Sequence, residues 1–100
     1  MSRTYEITTA ASQDIDVILS RLAEVGGYET ADKFLNTFNA KLKKLAAFPF
    51  IGVARPEWGP YHRTVPIDRY VMVCRVTDEL VEIIRVMSGY QDLDEFFIDG

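Results

Sequence analysis

The chain has 100 residues, 48% of them hydrophobic and 26% charged, enough for a single domain over residues 1–100 that removes roughly 65% of its unfolded surface from water. No run nears the roughly 20 consecutive apolar residues of a membrane helix. The opening MSRTYEITT lacks a signal peptide's apolar core, and a lone cysteine, Cys74, allows no internal disulfide. A cytoplasmic protein with no membrane role is expected. The net charge of −4 is placed unevenly: basic and acidic side chains balance up to residue 90, and Asp92, Asp94, Glu95 and Asp99 carry the whole excess. The total shows no basic footprint of the kind nucleic-acid binding leaves, so no direct nucleic-acid contact by the chain alone is expected, although a local cationic face stays open.

Tyr5 and Ile7 alternate with polar residues and predict a short strand over 3–8. From Ala10 the period becomes helical. Ile15, Ile18, Leu19, Leu22 and Val25 share one face, and Gly26-Gly27 stops the helix. A second helix is predicted from Tyr28 to Ala47, with Ala31, Phe34, Leu35, Phe38, Leu42, Leu45 and Ala46 as its stripe and Pro49 closing it. Only the glycine pair separates the two helices, so they should form an antiparallel hairpin. Residues 49–60, PFIGVARPEWGP, read as a loop. Strands follow near 61–66, 69–76 and 80–87, with Asp68 and Asp78-Glu79 at the turns. Their short links make them antiparallel neighbours. Leu93 to Ile98 fits one helical turn with Phe96 and Phe97 docked. The order β-α-α-β-β-β predicts an α+β sandwich of two layers, a helical hairpin on one face of a mainly antiparallel sheet. The spacing does not say where the first strand joins that sheet.

This order, with the residues that fill it, resembles the ParE/RelE toxin superfamily of type II toxin–antitoxin systems. The resemblance rests on Tyr5 with Thr8-Thr9-Ala10-Ala11, Asp14-Ile15, Ile18, Ala31 and Phe34. It continues through Leu42 and Leu45 into Phe48-Pro49-Phe50-Ile51-Gly52, then His62-Arg63, Tyr70-Val71-Met72-Val73, Ile83-Ile84-Arg85-Val86-Met87, Gly89 and Asp92. It covers nearly the whole chain, and the proline-glycine loop and the IIRVMSG strand end look more like ParE than RelE. A ParE-like protein would inhibit DNA gyrase by binding it, with a ParD-like antitoxin as its partner in a hetero-oligomer. No cofactor is implied. A RelE-like protein would instead cut messenger RNA on the ribosome, a task for a base, an acid and a cationic clamp. That alternative would use Arg63, Arg85 and Tyr90.

Each candidate has a second, structural reading. Arg85 is a phosphate clamp by resemblance, or an arginine on the open sheet face paired with an acid across the strand. Ser88 stands where many relatives have histidine, and it cannot donate a proton near neutral pH as imidazole does. Tyr90 could serve as an acid or stack on a base, or cover core. His62, beside Arg63, is structural or a base facing Arg85. Lys41, Lys43 and Lys44 suit either an RNA surface or the negative end of a helix. Arg55 and Trp58 read as an interface hot spot or as a cap on the core. Arg63, Arg75 and Arg85 would suit antitoxin carboxylates. Cys74 reads as a small buried hydrophobe. One histidine, one cysteine and scattered acids lack the spacing of a metal site.

Overall fold

A computed structural model describes residues 4–88. Strand β1 (Thr4–Ile7) leads into the helical segment α1 (Thr9–Ala47). Strands β2 (Val53–Ala54), β3 (His62–Ile67), β4 (Tyr70–Val76) and β5 (Leu80–Ser88) follow among the described residues. The strands form one sheet in the order β1-β5-β4-β3-β2. β1 runs parallel to β5, and every other pair is antiparallel.

Thr8 starts α1. Its hydroxyl accepts from Ala11 N–H at 3.1 Å and donates to Ile84 C=O at 2.8 Å, so one side chain caps the helix and ties it to β5. At Gly27 the backbone leaves the helix, with φ 80° and ψ 175°. A straight helix of this length would run roughly 58 Å, whereas the longest extent of the molecule is 39 Å. The two arms therefore fold back as the expected hairpin. Ile15 and Ile18 of the first arm and Phe34, Phe38, Leu42 and Leu45 of the second enter one core with Val65, Met72, Cys74, Val81 and Ile83 from the sheet. Val25, expected on the buried face, is 84% exposed because it sits at the hairpin tip, where the chain turns instead of packing.

Two features go beyond the sequence reading. Within the predicted loop, Val53 and Ala54 pair with Thr64 and Arg63 and add a fifth strand at the sheet edge. β5 carries a bulge: Val73 faces Arg85 while Cys74 faces Ile83, which leaves Ile84 as an extra residue. Strict alternation from Val81 and Ile83 would send Arg85 into the core. The extra residue shifts the phase, so Val86 enters the core instead and the charge stays out.

Candidate functional site

The strand end that carries Arg85 is built by a handover between neighbours. β1 pairs with β5 from Thr4↔Leu80 to Ile7↔Ile83 and then ends. Thr8 N–H donates to Ile83 C=O at 3.1 Å, and the Thr8 hydroxyl takes Ile84 C=O. Six residues later Asp14 accepts Val86 N–H at 3.0 Å through Oδ2. The helix thus continues the hydrogen bonding of β5 where β1 stops. The same carboxylate receives Arg85 Nε at 2.7 Å and a terminal Arg85 nitrogen at 3.0 Å, a two-pronged ion pair. Both partners are mostly sheltered, and the hydrogen bond to Asp14 raises the Arg85 pKa above its ordinary value, against a smaller lowering by desolvation. The acid that meets Arg85 comes from α1, not from across the strand.

Asp14 lies three residues from Ala11 and four from Ile18, both buried. An acid on the buried stripe of a helix needs a partner, and that spacing was the signal for it. Around the pair opens a shallow cleft of about 280 Å³ lined by Asp14, Ile18, Arg21, Tyr70, Arg85 and Ser88.

The other candidates lie elsewhere. Arg63 is on the hairpin side of β3, opposite Cys74, where its guanidinium bonds Phe50 C=O and Gly52 C=O and lies 5.4 Å from the Phe50 ring centre. It staples the loop before β2. Arg85 stands in the row of Val73 and Thr64, so Arg63 and Arg85 belong to different rows, with β4 between them. His62 does not face Arg85 either. It pairs with Arg75, which pairs with Glu82, because the bulge offsets the register. Burial first, then Arg75, lowers the His62 pKa, and Glu82 opposes them.

Arg55 sits 3.9 Å over the Trp58 ring and bonds Glu57 at 3.3 Å. Trp58 packs with Ile84 and Met87 against Val71 and Val73, on the sheet face turned away from the hairpin. Arg75, on that face, lies 5.6 Å from the Tyr61 ring centre. Lys43 and Lys44 are exposed in the last turns of α1, the end whose dipole favours cations. Cys74 is buried, which pushes its thiol up to about 12 and keeps it protonated. Tyr90 and the segment Leu93–Ile98 lie outside the described residues. Among the described residues, no cluster of three His, Cys, Asp or Glu side chains forms a metal site, and no helix is long and apolar enough to cross a membrane.

The family model described as the ParE toxin of type II toxin-antitoxin system, parDE, matches residues 5–93. The chain is 29% identical over 86 residues to Toxin ParE3 of Caulobacter vibrioides, covering 86% of each protein. It is 27% identical over 95 residues to Toxin ParE1 of Mycobacterium tuberculosis, covering 94% of this chain and 97% of the other. In three dimensions it is similar to a chain of the chromosomal ParDE system of P. aeruginosa, with TM-score 0.74 and 23% identity over 89% of this chain and 98% of that one. It is also similar to a chain of the RelBE2 toxin–antitoxin complex of Mycobacterium tuberculosis, with TM-score 0.60 and 19% identity over 89% and 100%. These structural likenesses show a shared fold.

Proposed function

From its place in the ParE toxin family of type II toxin–antitoxin systems, to which this chain belongs, we propose that it arrests growth by binding DNA gyrase and that a ParD-like antitoxin neutralises it. The family match over residues 5–93 carries this reading. In the proposal, Arg55, Trp58 and Arg75 present the contact surface on the outer sheet face. Arg63 and Arg85 shape it from behind by holding the loop and the first helical arm, and Tyr90 contributes from beyond the described residues. An antitoxin in a hetero-oligomer with the toxin would cover this surface through apolar anchors and carboxylates.

The site gives no specific support to an RNA-cutting mechanism. Arg85 is already held by a carboxylate, Arg63 by two backbone carbonyls, and Ser88 offers no imidazole. The test is induction without the antitoxin, followed by supercoiling and cleavage assays with purified gyrase. Accumulated cleaved DNA and filamentous cells are the expected result. Growth arrest with intact chromosomes and normal gyrase activity would refute the reading, and codon-specific cuts in translated messages would replace it with the nuclease.

A further inference from the structure

A second concavity lies on the hairpin side of the sheet, away from Trp58. It opens between the two arms of α1 and the turn that joins β3 to β4, with a volume of about 430 Å³, within the range usual for small-molecule sites. Leu22 and Val25 line it from the first arm, Phe34 from the second and Tyr70 from the start of β4. Phe34 is 3% exposed and meets Tyr70 edge-on, with ring centres 5.3 Å apart, so the two rings close the floor. Val25, the exposed apolar residue at the hairpin tip, forms an outer wall.

The rim of this groove is cationic. Arg21, Lys33 and Arg69 stand around it with one acid, Asp68, and all four are exposed. Among the described residues none of the three bases makes an ion pair. Arg21 also borders Asp16 and Glu24 on its other flank, so Lys33 and Arg69 carry most of the attraction. Thr30 and Thr37 give their hydroxyl hydrogens to Gly26 C=O at 2.8 Å and Lys33 C=O at 3.0 Å, and so bring none to a ligand. An apolar floor under a rim with more bases than acids selects a ligand with an apolar body and an anionic head. The backbone beside the groove is closed. Ile67 pairs with Tyr70 across the tight turn Asp68-Arg69, so no free strand edge opens here to an extended peptide.

We propose that this groove binds a small amphipathic carboxylate, a short acyl or aromatic acid, with its body on Leu22, Phe34 and Tyr70 and its carboxylate at Lys33 and Arg69. Such a ligand touches both helical arms and the β3–β4 turn at once, and so ties the hairpin to the sheet. The site lies on the opposite sheet face from Trp58 and is independent of what the protein acts on.

The probe is octanoate, with acetate as the head without the body and octylamine as the same body with a cationic head. Each is titrated into the full chain while backbone amide shifts are followed by NMR. Octanoate should bind saturably with a Kd below about 5 mM, and the shifts should cluster at residues 21–37 and 68–70. Acetate and octylamine should not saturate in that range. The double charge reversal K33E with R69E, both at exposed positions, should weaken octanoate about tenfold and let octylamine bind, with far-UV circular dichroism confirming the fold. Octanoate binding that is unchanged in the folded double variant overturns the proposal. Octylamine binding as tight as octanoate in the unaltered chain also overturns it, because the charged rim then selects nothing. Absence of saturation up to about 20 mM octanoate overturns it as well and leaves the groove to a macromolecular partner.

Discussion

Asp14 is the residue on which the strand end depends. Its two oxygens hold Arg85 and the Val86 N–H together. Asp14→Ala would leave a sheltered guanidinium and a backbone donor without that partner, a loss of about 2–3 kcal/mol. The expected result is a lower denaturant midpoint with an unchanged slope. Arg85→Ala added to Asp14→Ala should cost less than the sum of the two single changes, and strict additivity would refute the coupling. His62 gives a pH dependence of known sign. Its folded pKa lies below the 6.5 that is ordinary for imidazole, because burial and the nearby Arg75 disfavour the charged ring. Its contribution is therefore intact above the unfolded pKa and declines as pH falls from there to the folded value, because the unfolded chain takes the proton more readily. Between about pH 7.5 and pH 5 the unaltered protein should lose more thermal stability than His62→Gln. An equal loss in both would assign the acid sensitivity to other groups.

At the scale of elements, Gly27 decides the helical layer. Its φ of 80° with ψ of 175° belongs to a region that only glycine occupies freely. An added Cβ would meet nothing within 4 Å, so the cost of Gly27→Ala is purely one of backbone conformation. It should destabilise by about 1–3 kcal/mol. A neutral result by chemical denaturation would mean that the hairpin turns by another route. The bulge in β5 works on the same scale. One extra residue, Ile84, lets Ile83 and Val86 both face the core and frees Arg85 to reach α1 across the sheet edge. Shortening the strand there would force a choice between burying a charge and exposing Val86.

At the largest scale, among the described residues one sheet face is covered by the hairpin, and Trp58, Ile84 and Met87 pack with Val71 and Val73 on the other. A partner that binds the folded form alone adds stability by mass action. At free antitoxin about 1,000-fold above its dissociation constant, the gain is about 4 kcal/mol. Thermal unfolding of the purified pair should rise accordingly and follow antitoxin concentration. Absence of any shift under saturating antitoxin would show that the native fold is not what the antitoxin binds.

The helical layer, the three-strand meander and the family were legible in the order of the amino acids. Periodicity marked Ile15, Ile18, Phe34, Phe38, Leu42 and Leu45 as core, and the glycine pair marked the turn, because these signals are local and repeat along the chain. Tertiary structure alone decided the parallel seat of β1 beside β5, the two-residue edge strand and the bulge. It also decided what Arg85 and Arg63 do. Their partners lie 71 residues away at Asp14 and 13 and 11 residues away at Phe50 and Gly52. Residue type announces that a guanidinium needs acceptors, but strand register and helix packing choose which acceptors come within reach.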